Sequence, residues 1–217
     1  MSTRFGSARK MSISNRFAVR LLPSLAVIAM LASPAQAQFS DSYKFLEAVR
    51  KKEGEKVETA LAEPGSTIVN TRDVSTGRTA LHIVSERRDI VWLRYLIAKG
   101  ANVNIADKNG TTPLQVATGL GWNDGAEELV AAKAQVDQPT DAGETPLIAA
   151  VHQRNTALMR ILLEAGANPD RADNSGRSAR DYAMLEGGNS QVVNTITTYA
   201  KKTGAQKATA VYGPTLP

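Results

Sequence analysis

The chain contains no cysteine. That excludes a disulfide framework, a Cys-ligated zinc or iron–sulfur centre, a thiol nucleophile and a lipid-modified N-terminal cysteine. Histidine is nearly as scarce, the two residues being His82 and His152. Glu86 lies four residues beyond His82, on the same helical face, but one such pair does not make a tetrahedral metal site. There is no Gly-x-Ser-x-Gly elbow, phosphate-binding loop or dinucleotide fingerprint, since the Gly119-x-Gly121 stretch has neither a preceding strand nor a third glycine. Long apolar runs are missing too. The one candidate, Leu21 to Ala32, is broken by Pro23 and Ser24 and spans 12 residues, short of the ~20 that a bilayer-spanning helix needs.

What is present suffices for a folded core. A length of 217 residues with 42% hydrophobic and 22% charged residues excludes a wholly disordered chain and allows one or two domains. The net charge of +5 suggests nucleic acid or an anionic surface as partner, but its distribution argues otherwise. Residues 1–37 hold Arg4, Arg9, Lys10, Arg16 and Arg20 and no acidic residue, which leaves 21 basic and 21 acidic residues in the other 180. That remainder is neutral and has no global attraction for a polyanion.

The basic stretch, the apolar run and Ser33-Pro34-Ala35-Gln36-Ala37 read in order as a secretory signal. Small residues at Ala35 and Ala37 suit a signal peptidase, so cleavage is expected before Gln38; the alternative is an uncleaved N-terminal anchor. No Arg-Arg pair precedes the run, which favours the general export route. Translation from Met11 in place of Met1 leaves the same mature chain. The expected location is the periplasm, or the medium after secretion, with no membrane insertion once the signal is removed.

Sliding the rest along itself exposes a repeat. Gly77-Arg78-Thr79-Ala80-Leu81-His82 recurs as Gly110-Thr111-Thr112-Pro113-Leu114-Gln115, Gly143-Glu144-Thr145-Pro146-Leu147-Ile148 and Gly176-Arg177-Ser178-Ala179-Arg180-Asp181, at steps of 33 residues. A second anchor, Leu96 to Asn104, returns as Leu129 to Asp137 and Leu162 to Asp170. Thr79, Thr112 and Thr145 suit helix N-caps, and Pro113 and Pro146 suit a first helical turn, where the missing N–H costs nothing. Leu81, Leu114 and Leu147, with Val84, Ala117 and Ala150 three residues on, give a short first helix one apolar face. Leu93, Leu96 and Ile97, then Met159, Leu162 and Leu163, do so for a second, and Gly100 and Gly166 stand where a left-handed residue ends it. Such a unit cannot bury its own faces, so copies must stack.

On these anchors the sequence resembles the ankyrin repeat family, whose hallmark is a 33-residue unit with Thr-Pro-Leu-His near its start. The resemblance implies an all-α solenoid of stacked helix-turn-helix repeats with projecting turns. It also implies that His82 is a buried imidazole holding adjacent turns by hydrogen bonds. The expected organisation is a signal peptide over 1–37 and a repeat domain over 38–202. The domain divides into an N-terminal cap repeat 42–72, copies 73–106, 107–139 and 140–172, and a C-terminal cap repeat 173–202. A Gly/Ala/Thr/Pro-rich flexible tail follows, 203–217.

The departures from the pattern locate an expected weak copy. In 107–139, Gly125 falls inside the second helix, at a cost of roughly 1 kcal/mol against Ala, and Lys133 replaces the helix-ending glycine. The turn Asp73 to Gly77 is one residue longer than its counterparts, and the third begins with Thr140 in place of Asp. Trp92 falls at a core position of its helix. Trp122, at the junction between two helices, is expected to be partly exposed and is a candidate anchor for a partner, with structural filling as the alternative.

No catalytic residue, metal ligand or cofactor site is expected, and the function rests on the stack's concave face. Its expected protein-binding residues are Arg78, Glu86, Arg87, Lys108, Asn109, Leu120, Trp122, Glu144, His152, Gln153 and Arg177, centred on the copy of Trp122. Their mixed charge and apolar character suits a protein and not nucleic acid. The first reading is a non-enzymatic, monomeric protein-binding module. Alternatives are a catalytic site around His82, Glu86 and His152, and a passive envelope scaffold.

Overall fold

In the computed structural model, residues 33–63, 66–185 and 191–200 are described, with side chains from Asp41 onward. Two helices open the fold, α1 (Ser33–Lys51) and α2 (Gly54–Leu61), followed by a 3-10 turn at Ile68–Asn70. Three helix pairs follow: α3 (Ala80–Glu86) with α4 (Ile90–Ala98), α5 (Pro113–Gly119) with α6 (Asn123–Ala131), and α7 (Pro146–His152) with α8 (Thr156–Glu164). A last first-type helix, α9 (Ala179–Leu185), precedes a helical stretch over 191–200. Among the described residues, those from Ser40 onward form one unit and those up to Phe39 belong to another. Helix α1 runs through the cleavage position expected before Gln38; residues 1–32 of the expected signal, and the tail 203–217, lie outside the described residues.

The caps form as their residue types dictate. The hydroxyls of Thr112 and Thr145 accept from the N–H groups of Gln115 and Ile148, and Pro113 and Pro146 occupy the first turn. Asp89 and Asn155 cap α4 and α8 by accepting from Trp92 and Leu158. The tight bend inside each pair uses a left-handed residue, Lys52, Arg88, Gly121 and Arg154 in turn. Gly100, Lys133 and Gly166 do the same at the exit of the second helix.

First helices α3, α5, α7 and α9 pack against one another in series, and α4, α6 and α8 form a second layer behind them. Leu81, Leu114 and Leu147 fill the space between, with Val84, Ala117, Ala150, Leu93, Leu129 and Leu162, all essentially inaccessible. Burying each large aliphatic side chain contributes ~1.5–3 kcal/mol. Trp92, expected in the core, is only half-buried and lies edge-on to Tyr95 at a centroid distance of 5.8 Å.

Two series of hydrogen bonds tie the copies. At the projecting turns, the N–H groups of Lys108, Asp141 and Asn174 donate to the carbonyls of Thr76, Asn109 and Ala142. At the opposite end, the side-chain oxygens of Asn70, Asn104 and Asp137 accept from the N–H groups of Asn102, Gln135 and Asn168, at 2.7, 2.8 and 2.8 Å.

In the copy expected to be weak, both helices form. Helix α6 has nine residues, like α4 and α8. Gly125 is buried beneath the indole of Trp122, whose ring atoms fill the place a side chain there would take. The glycine is a packing requirement of that tryptophan.

Candidate protein-binding surface

Position 33n along the first helices sorts the expected residues into those the core uses and those it leaves free. Asp73, Asp107 and Asp173 build the turns from within. The Oδ1 of Asp73 accepts from the N–H groups of Ser75 and Thr76 at 3.0 and 2.9 Å. Hydrogen bonds from the Ser75 hydroxyl and the Thr76 backbone hold its carboxyl well below the usual carboxylate range. Asp173 is lowered likewise, chiefly by the Tyr182 hydroxyl at 2.7 Å and by Ser175. The tips they shape, including Val74, Ser75, Thr76, Lys108, Asn109, Asn174 and Ser175, are exposed, as is Asp141 in the third turn.

Of the expected binding residues, Glu86, Lys108, Asn109, Leu120, His152, Gln153 and Arg177 are exposed, and Arg78, Arg87 and Glu144 partly so. Arg78 pairs with Glu86 at 3.0 Å. The His152 ring packs edge-on against Tyr182 of the next copy, with centroids 4.5 Å apart. Ile83, Val116, Ala149 and Tyr182 recur at the same step and lie on the same helices between these residues.

Three expected residues serve the fold. Trp122 is 8% exposed, so it is a core residue and offers a partner almost no surface. It stands where Asp89 and Asn155 cap their helices, yet makes no cap bond and packs its ring on Gly125 instead. Arg87 donates through Nη1 to the carbonyls of Val49 and Arg50, at 2.6 and 3.0 Å, which fastens the end of α1 to the first full copy. Gln153, at the equivalent position two copies on, makes the same reach: its Nε2 donates to the carbonyls of Thr118 and Gly119, at 2.7 and 3.2 Å. Leu120 holds this position between them and has no donor; there Arg88 reaches forward to the Leu120 carbonyl. The neighbouring basic side chains are exposed and ion-paired, Lys52 with Asp89 at 2.8 Å and Lys51 with Glu47 at 3.1 Å.

The alternative catalytic trio is not assembled. His82 is fully buried, its Nδ1 accepting from the Thr79 N–H at 3.1 Å and its Nε2 donating to the Thr111 carbonyl at 2.9 Å. Burial pushes its imidazole below the usual range. His152 sits two copies further along, against Tyr182. Among the described residues no group of three or more His, Asp or Glu side chains is placed to hold a metal ion, and no helix is long and apolar enough to cross a membrane.

Sequence reading missed Tyr182 and Arg50. Tyr182 belongs to the series Ile83, Val116, Ala149 at the 33-residue step, which marks it as facing the same side. Arg50 is the counterpart of Glu86 at a step of 36, because the left-handed residues that follow them two positions on are Lys52 and Arg88; a search at 33 passes over it.

A family model described as ankyrin repeats in three copies matches residues 45–140 and 121–207. A putative ankyrin repeat-containing protein of Treponema pallidum (strain Nichols) is 36% identical over 91 residues, covering 42% of this chain and 30% of that protein. A transient receptor potential cation channel subfamily A member 1 homolog of Caenorhabditis elegans is 31% identical over 107 residues, 49% of this chain and 9% of its own. Neurogenic locus notch homolog protein 1 of Danio rerio is 30% identical over 120 residues, 55% of this chain and 5% of its own. The chain spans less than a third of the length of each of these relatives.

Proposed function

Because the chain belongs to the ankyrin repeat family, we propose that it is a non-enzymatic protein-binding module, exported to the periplasm or beyond, that grips one partner as a monomer. Ankyrin repeats are protein–protein interaction modules, and the family is generally non-catalytic. The observation that carries the reading is the strip of side chains repeated along the turn tips and first helices that the core does not use. Val74, Arg78, Glu86, Lys108, Asn109, Leu120, Glu144, His152 and Arg177 make it up, without Trp122, Arg87 and Gln153. Val74 and Leu120, 64% and 37% exposed, stand among charges of both signs. That mixture suits a protein surface better than a polyanion. The order of basic stretch, apolar run and small residues before Gln38 supports export.

The test is capture from a periplasmic extract, read for a stoichiometric partner, with a variant carrying Lys108→Glu, Leu120→Asp and Arg177→Glu as control. Binding that the triple variant abolishes, with thermal melting unchanged, supports the strip. A partner retained by that variant moves the site elsewhere. Fractionation that finds the chain in the cytosol with residues 1–37 intact refutes the export half.

A further inference from the structure

We propose that the cleft between the N-terminal helix pair and the first full copy receives a carboxylate side chain of the bound protein, a deepening that rests on the protein-binding reading above. The cleft holds about 280 Å³ and is lined by Arg50, Thr76, Arg78, Ile83, Glu86 and Arg87. That is the space of roughly nine waters at about 30 Å³ each, ample for an Asp or Glu side chain.

Three guanidinium groups meet there from three separate segments: the end of α1, the first projecting turn and the end of α3. Two are held by bonds made elsewhere. Arg50 is braced by Asp73 at 3.1 Å and by Glu47 at 3.6 Å, and Arg87 by the Val49 and Arg50 carbonyls. A guanidinium already fixed in place loses little freedom when it binds a carboxylate.

Arg87 supplies the observation that points to an anion. Its Nη1 is engaged, but Nε and Nη2 are buried without a hydrogen-bond partner among the described residues, and Asp89 lies 3.7 Å from Nη2, beyond hydrogen-bond distance. That edge has Asp89 as an ion-pair partner but donates no hydrogen bond, which is costly. Negative charge in the adjoining cleft adds to the field of Asp89, with no contact to the covered atoms.

Arg78 makes the direct contact. Its side chain is 25% exposed, and its ion pair is with Glu86, itself 58% exposed. An ion pair this exposed contributes little, so Glu86 is easily displaced. The chain therefore holds its own carboxylate where the partner's is to go, and binding exchanges one for the other. Glu47 and Asp73 pair with Arg50 and Asp89 with Arg87, and none of the three lines the cleft, so they stay in place. Ile83 gives the methylenes of the incoming side chain an apolar wall.

The test is a titration of the full chain with glutarate, followed by amide shifts in NMR, with inorganic phosphate in a parallel arm. Saturable shifts confined to Arg50, Thr76, Arg78, Ile83, Glu86 and Arg87 are expected. Binding should weaken about fivefold or more in Arg78→Gln and tighten about threefold in Glu86→Gln, since the first loses the bidentate contact and the second the internal competitor. Shifts that grow linearly with salt, that persist in Arg78→Gln or that fail to tighten in Glu86→Gln overturn the proposal. Phosphate binding about tenfold tighter than glutarate overturns the carboxylate assignment in favour of a phosphorylated ligand. If glutarate fails while a partner is still captured on the strip, the pocket falls and the protein-binding reading stands.

Discussion

The indole of Trp122 lies on Gly125 three residues further along, filling the place where any β-carbon at 125 would stand. Helix propensity alone favours Ala at that position by ~1 kcal/mol. Overpacking against a fixed ring costs ~1–3 kcal/mol. Gly125→Ala should therefore destabilise the protein by about 1 kcal/mol. In a Trp122→Asn background, where Asn can cap α6 as Asn155 caps α8, the same change should stabilise. Urea unfolding of the four chains reads this sign reversal directly, and a stabilising Gly125→Ala in the presence of Trp122 would refute the packing account.

His82 makes stability depend on pH. Unfolded imidazole takes its proton near pH 6.5, whereas the buried ring, already bonded at both nitrogens, resists it. Above that pH both states are neutral and the contribution is complete. As pH falls below it, only the unfolded state gains a proton, and stability declines. Gln115 performs the same task one copy on, its Oε1 accepting from the Thr112 N–H and its Nε2 donating to the Glu144 carbonyl, without titrating. His82→Gln should flatten the profile between about pH 6.5 and 5. It should keep a steeper loss below about pH 4, where Asp73 and Asp173 lose carboxylates that the fold favours. Chemical denaturation at stepped pH measures both windows; an unchanged upper window excludes His82 as the cause.

The third projecting turn lacks the aspartate of the other three, and the Thr140 hydroxyl is buried without a hydrogen-bond partner. Thr140→Asp should supply what Asp107 supplies to the N–H groups of Asn109 and Thr111. A net hydrogen bond is worth ~0.5–1.5 kcal/mol. A rise in melting temperature of about 2–4 °C is the expected outcome, and a fall would show that the turn cannot seat the carboxylate.

Lys133 adopts φ 70°, where Gly100 and Gly166 stand at 85° and 94°. A left-handed conformation costs a residue with a β-carbon about 1–2 kcal/mol. Lys133→Gly should regain about 1 kcal/mol of this in a denaturant melt, while Lys133→Ala should gain nothing.

The repeat was legible because its signals are local. A capping Thr, a Pro in the first turn and an apolar face at helical spacing act within one copy, so the 33-residue step exposed the layers and their order. The roles of Arg87 and Gln153 were not legible, because their acceptors are backbone carbonyls of the preceding copy and carry no residue type. Their residue types differ from copy to copy, with Gln153 exposed and Arg87 partly buried, and the bonds to Val49 and Thr118 are what reveal the role. Trp122 misled for a related reason. Its position holds polar caps in the neighbouring copies, and the glycine that makes room for it reads alone as a flaw. Arg50 was hidden because its step to Glu86 is 36 residues and not 33, and the longer first turn supplies one of the three extra.

The rungs that join the copies end on backbone N–H and carbonyl groups at the projecting turns, and on Asx side chains with backbone N–H groups at the other end. Each rung connects only adjacent copies, and every copy presents the same donor upstream and the same acceptor downstream. A duplicate of residues 107–139 inserted after Pro139 would therefore meet both neighbours with matching groups, Asp137 receiving the new Gln135 N–H and the new Asp137 receiving that of Asn168. The reach of the binding strip is thus a variable that changes by whole copies, independently of the chemistry displayed on any one of them.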